Sequence, residues 1–164
     1  MAEQIYSGNT RKIMQNKKTI ESSLKIRLFS KNNILTIEGE PENEYIAIQA
    51  IEAINLGFPI KEALQLKNEN FVLEKINIKS ISKRKNLSQV RARIVGEKGR
   101  ALRTIKDLSN CFIVLHDNTV GIIGYIEDVK KASYALKRLI AGSKHANIYR
   151  YLEEQRALQK AGLV

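Results

Sequence analysis

The stretch RARIVGEKGRALRTIK, from Arg91 to Lys106, limits what this chain can fold into more than any other. Two glycines, Gly96 and Gly99, flank Glu97 and Lys98, and apolar residues at helical spacing stand on either side. One glycine can end a helix and the other can open the next, because only glycine enters positive φ without strain. The stretch therefore reads as helix, tight turn, helix. Six basic residues and one acid surround the turn, so its surface suits an anion. The turn lacks the Gly-Lys-Ser/Thr ending of a nucleotide-binding P-loop, which leaves ATP use unsupported.

The flanks give the turn its setting. FVLEKINIKSI is expected to be a strand with Val72, Ile76 and Ile78 apolar, followed by the basic loop SKRKN. Ser88 fits the N-cap of a short helix, SQVRARIV, that stops at Gly96. After Gly99, RALRTIKDLS places Leu102, Ile105 and Leu108 on one helical face and Arg100, Arg103 and Lys106 on the other. CFIVLH and TVGIIG read as strands around an Asp117-Asn118 turn. IEDVKKASYALKRLIAG reads as a long helix with Ile126, Val129, Leu136 and Ile140 inward, and a last helix runs from about Asn147 to Gln159. The order β-α-α-β-β-α, with Gly-x-x-Gly between the first two helices, is the pattern of a KH domain of the eukaryotic type. The ribosomal-protein type orders its elements differently.

The first half resembles this unit incompletely. TRKIMQNKKTIESSL forms one or two short helices, and KIRLFS and ILTIEG form strands around Lys31-Asn32-Asn33. ENEYIAIQAIEAINLGF is a helix with Ala47, Ala50, Ile51 and Ile54 along one face and Gly57 as its stop, and PIKEALQLKN adds a short helix. No GxxG occurs here, and IYSG is at best an opening strand. The expected fold class is α+β, with two tandem type I KH domains, each a three-stranded antiparallel sheet with helices on one face. Residues 1–68 would form a degenerate first domain, residues 69–143 the KH domain with the GxxG loop, and residues 144–164 a helical tail.

Charge points to the partner. The net charge is +11, and residues 79–106 hold ten basic residues against one acid, whereas residues 31–78 hold four against eight. Such local concentration beside one turn fits a polyanion. One cysteine, Cys111, excludes an internal disulfide, and with only His116 and His145 besides, no Cys/His zinc site is expected. No apolar run approaches the roughly 20 residues of a membrane span, and the N-terminus has no signal-peptide core, so an intracellular, cofactor-free protein is expected.

The chemistry of the turn follows. A phosphate backbone approaches the main chain where no Cβ intervenes, which Gly96 and Gly99 allow. Gly99 opens a helix whose unpaired N–H groups favour an anion, and Lys98 and Arg100 add counter-charge. KH loops clamp the backbone of four nucleotides. The bases are expected on an aliphatic groove drawn from Ile94, Val95, Ile105 and Ile113; spacing does not decide which of these face the groove and which the core. No aromatic lies in that segment, so recognition leans on neighbouring cations, among them Arg91 and the loop Lys83, Arg84 and Lys85. Glu97 is expected to face solvent.

The wider chain resembles the tandem-KH small-subunit ribosome assembly factors of archaea and eukaryotes, the partner-of-Nob proteins. The resemblance rests on AINLGFPIKEALQL, FVLEKINI, ARIVGEKGRALRTIKDLSNCFIVL, NTVGIIGYIEDVKKA and the tail LIAGSKHANIYRYLEEQR, and covers residues 10–155. It implies RNA binding near the 3′ end of small-subunit rRNA by the second KH domain, through Arg93, Gly96, Glu97, Lys98, Gly99, Arg100 and Arg103. It also implies docking of the Nob-family endonuclease that trims that end, within the pre-small-subunit particle. The first unit reads TRKIMQNKK where a GxxG would stand, so a scaffold or docking role suits it better, with Lys12, Lys17 and Lys18 open as RNA contacts. The expected protein is a non-enzymatic monomer without membrane contact. It would be cytoplasmic if archaeal in type, as the short N-terminus favours, and nucleolar and cytoplasmic if eukaryotic. The alternative is a generic KH module acting on mRNA or in RNA decay.

Other residues read as structural. His116-Asp117 sits at a hairpin turn without further metal ligands, Ser22-Ser23 has no His/Asp partner set, and Cys111 reads as a small buried apolar residue. His145 is expected to be structural, and Tyr149 and Tyr151 to pack.

Overall fold

Strict alternation in two short runs builds the first sheet. In Ile26–Lys31 (β2) and Ile34–Gly39 (β3), the residues Ile26, Leu28, Leu35 and Ile37 turn inward and are buried. Asn32, at φ 56°, makes the tight turn between them. Ala2–Tyr6 (β1) pairs antiparallel with β3, from Ala2 opposite Glu38 to Tyr6 opposite Ile34, giving the sheet order β1-β3-β2. The opening strand, only hinted at by IYSG, is therefore a full strand beginning at Ala2. A computed structural model describes residues 2–163, and the chain divides into two compact units, residues 1–71 and 72–164.

Helices Thr10–Gln15 (α1) and Lys17–Leu24 (α2) meet at Asn16 alone, which leaves no room for a loop between them. Pro41–Asn55 (α3) begins with proline at its first position, and Glu44 folds back to accept the Gly39 N–H at 3.0 Å. Ile13, Ile20, Ile51, Ile54 and Phe58 join the inward strand residues in the core of this unit. Ile60–Ala63 (α4) and a 3₁₀ turn, Leu64–Lys67, complete it.

The second unit follows the same order with a longer helix connection. Phe71–Asn77 (β4) ends earlier than the alternating isoleucines suggest. The Asn77 side chain accepts the Lys79 N–H at 2.9 Å and starts the helical turn Ile78–Ile81 (α5). Helix α6 spans Leu87–Val95; Asn86 precedes it, and Ser88 is its second residue, not its cap, its hydroxyl donating to Asn86. Then come a 3₁₀ turn, Glu97–Gly99, helix α7 (Arg100–Ser109), and the hairpin of β5 (Phe112–His116) and β6 (Thr119–Tyr125). The strand order is β4-β6-β5. Each unit is thus a three-stranded antiparallel sheet carrying helices. In α8 (Ile126–Ala141), Val129, Leu136 and Ile140 face inward, whereas Ile126, at the solvated first turn, is 41% exposed.

Helix α9 (His145–Lys160) starts two residues before its expected position. Its Ile148 and Leu152 are buried in the same core as Val90, Ile94, Ile105 and Ile113. No helix among the described residues is long and apolar enough to cross a membrane.

Candidate nucleic-acid interface

The glycine turn has three residues with positive φ in four positions. Gly96 lies at φ 76°, ψ 174°, Lys98 at 53°, 28° and Gly99 at 76°, 11°. The two glycines are required for different reasons. A methyl on Gly96 would stand 2.5 Å from the Ala101 Cβ and 2.7 Å from its backbone nitrogen, so the loop is folded tightly onto the start of α7. A methyl on Gly99 would meet no protein atom within 4 Å. Gly99 is therefore the glycine whose Cα side is open to an approaching phosphate, at the start of a ten-residue helix without a side-chain cap; its own N–H donates to the Gly96 carbonyl at 3.2 Å and that of Arg100 to the Glu97 carbonyl. Lys98 is not a glycine and pays for its left-handed backbone with about 1 kcal/mol or more. Arg103 holds it there, donating to the Lys98 carbonyl at 2.9 Å. Glu97, Lys98, Arg100 and Arg103 are exposed, as are Lys83, Arg84 and Lys85 in the loop ahead of α6.

A groove of about 880 Å³ starts at this turn, lined by Ser88, Arg91, Ala92, Val95, Gly96, Leu115, Asp117 and Asn118. It lies between α6 and the β5–β6 hairpin. Of the aliphatic residues expected to line it, only Val95 does. Ile94 and Ile105 are fully buried and Ile113 is 1% exposed, so these three form the core beneath the groove. Ala92 and Leu115 supply the missing apolar surface. Leu115 could have been found, because it shares the parity of Ile113 along β5 and so the same face of the sheet. Ala92 follows from a helical turn spacing on Ser88 and Val95. Arg91 donates to the Asn118 side chain, while the Asn118 carbonyl accepts the Ile78 N–H at 2.8 Å, which fixes the hairpin turn against α5.

Arg93 departs most from expectation. Its guanidinium donates to the Leu139 carbonyl at 2.9 Å and to the Ser143 carbonyl at 2.7 Å, at the end of α8. In return His145 Nε2 lies 2.7 Å from the Arg93 carbonyl. The side chain is engaged within the protein; it ties α6 to the end of α8 and the start of α9. Tyr149 packs against the core beside Thr104 of α7, and burial raises its phenol above its usual range. The first turns of α9 thus touch both helices that flank the glycine turn.

His116 lies 3.6 Å from Asp117, both exposed, and no group of three or more metal-ligating side chains occurs among the described residues. Burial pushes the Cys111 thiol up from 9.0 to about 12.

Residues 72–157 match the family model for the second KH domain of PNO1, described as a eukaryotic type KH-domain (KH-domain type I). The chain belongs to the PNO1 family of KH-domain proteins. A KH domain-containing protein of Methanocaldococcus jannaschii is 33% identical over 147 residues, 85% of this chain and 65% of its own length. The pre-rRNA-processing protein pno1 of Schizosaccharomyces pombe is 29% identical over 113 residues, 67% of this chain and 47% of its own. The chain therefore spans less than two thirds of the length of these curated relatives. Solved structures match nearly throughout. Dim2p of Pyrococcus horikoshii OT3 has a TM-score of 0.84 at 30% identity, covering 94% of this chain and 99% of that one. The same organism's Dim2p, in a complex with a/eIF2α and rRNA, has a TM-score of 0.84 at 31% identity, covering 96% and 94%.

Proposed function

We propose that this chain is a non-catalytic RNA-binding adaptor of small ribosomal subunit biogenesis. Its second unit holds single-stranded pre-rRNA near the 3′ end of the small-subunit rRNA. The backbone lies on the Gly96–Gly99 turn and the bases lie in the groove of Val95, Ala92 and Leu115. The observation that carries this reading is the open main chain at Gly99, set at a helix start among exposed cations and at one end of a groove. The names of its relatives, a pre-rRNA-processing protein and a Dim2p in complex with rRNA, give the RNA its class. In this role the chain works as a monomer within the pre-small-subunit particle and presents the RNA end to a Nob-family endonuclease.

The test is fluorescence anisotropy with the 3′-terminal single strand of small-subunit rRNA, beside a scrambled oligomer of equal composition. The wild type is compared with the Glu97→Asp/Lys98→Asp variant. Preference for the rRNA end, lost in the variant, is expected. Equal binding of both oligomers would leave a generic KH module without a ribosomal target, and undiminished binding by the variant would remove the clamp.

A further inference from the structure

The groove of the second unit contains no aromatic side chain, yet three large apolar side chains stand exposed on the outer face of the first sheet. Tyr6 is 69%, Phe29 46% and Ile34 45% exposed. The strand register makes them neighbours. Tyr6 stands directly opposite Ile34, and Phe29 stands opposite Thr36, one diagonal step from Ile34. The three side chains run as a stripe across β1, β3 and β2. Cations border it: Lys31 is the other cross-strand partner of Ile34, Arg27 precedes Phe29 on the same face, and the Lys17 ammonium lies 5.6 Å from the Phe29 ring centre. Glu38, opposite Arg27, is the one acid that the three strands place on this face.

We propose that this face is a second single-stranded RNA contact, a stacking platform for bases outside the glycine-turn clamp. Rings that accept any base face, interleaved with Lys and Arg for the phosphates, are the chemistry of sequence-tolerant single-strand binding. A purely apolar protein partner would not need the three cations, and a purely ionic contact would not need the exposed rings. The first unit, lacking a glycine turn, thereby acquires an RNA-binding role through its sheet instead of its helices. The inference goes beyond the proposed clamp and does not depend on it.

The experiment uses the full chain and two unstructured RNAs. One, of about six nucleotides, is little longer than the roughly four that a KH turn holds. The other, of about twenty-four, leaves bases free for a second surface. Tyr6→Ala/Phe29→Ala is expected to weaken the long RNA by about tenfold or more and to leave the short one unchanged. Tyr6→Phe/Phe29→Tyr, which keeps both rings, should bind the long RNA like wild type. Ultraviolet cross-linking of the long RNA to Glu97→Asp/Lys98→Asp should still label the peptides holding Tyr6 or Phe29. Unchanged affinity of the alanine variant for the long RNA overturns the proposal, as does equal weakening on both lengths or loss of a protein partner with RNA binding intact. If the wild type fails to bind the short RNA, the clamp reading fails, while the long-RNA comparison still decides this one.

Discussion

An alanine methyl at Gly96 would lie 2.5 Å from the Ala101 Cβ, whereas one at Gly99 would meet nothing within 4 Å. Two substitutions that look alike in the sequence should therefore separate. Gly99→Ala carries only the left-handed backbone strain, about 1–2 kcal/mol, and should fold while losing RNA affinity. Gly96→Ala adds a collision with backbone and should lower the melting temperature further. Thermal melts beside anisotropy read both, and equal melting of the two variants would count against the distinction. Cys111 makes a second residue-scale prediction. Below its ordinary value of 9.0, folded and unfolded chains both keep the thiol proton, so it adds no pH dependence. Above that, the unfolded chain ionises first while the buried thiol holds its proton to about 12, so stability falls as pH rises through this window. Cys111→Ala should make that fall shallower in urea unfolding at high pH, and the native thiol should resist alkylation at about pH 8.

At the scale of elements, the strongly periodic segments were legible, and those whose partners lie far along the chain were not. Alternation in β2 and β3 and the 3.6 period of α7 and α8 survive because each buries one clean face. β1 was nearly invisible: every residue of AEQIY is exposed except the half-buried Ile5, so the strand exists through its hydrogen bonds to β3. The spacing of Ile78 from Ile76 fits a strand, while the deciding bond, from the Lys79 N–H to the Asn77 side chain, is local and polar. The partners of Arg93 are carbonyls 46 and 50 residues away, which no spacing rule reports. Those carbonyls tie α6 to the end of α8, and His145 makes the start of α9 a strap onto α6 beside the glycine turn. His145→Ala should speed amide hydrogen exchange of residues 96–100 in the free protein and weaken RNA several-fold, and His145→Gln, which keeps a donor for the Arg93 carbonyl, should restore both. Leu152→Ala, which removes core packing in the same helix, serves as the control. It should lower the melting temperature without that local exchange. If it loosens the turn equally, the strap has no positioning role.

For the whole molecule the charge distribution becomes a salt dependence. The +11 charge is not spread evenly: ten basic residues against one acid fall in residues 79–106. If the glycine turn and its cations neutralise about four phosphates, log affinity for short single-stranded RNA should fall with log salt at a slope of about −3, or about fiftyfold between roughly 50 and 200 mM. The structure divides the cations into those that should contribute to this slope and those that should not. Lys98 and Arg100 are exposed beside the turn, and each alanine substitution should flatten the slope by about 0.7. Arg93 is half-buried and bonded to two carbonyls, so Arg93→Ala, which removes the charge, should lower affinity by loosening the turn but leave the slope unchanged. Arg103 lies between these cases. Its guanidinium holds the Lys98 carbonyl and is also exposed, so Arg103→Lys should keep the slope while losing the affinity that a rigid turn confers. Slope and intercept thus report different things, counter-charge and preorganisation, and one salt titration of each variant assigns every cation to one or the other.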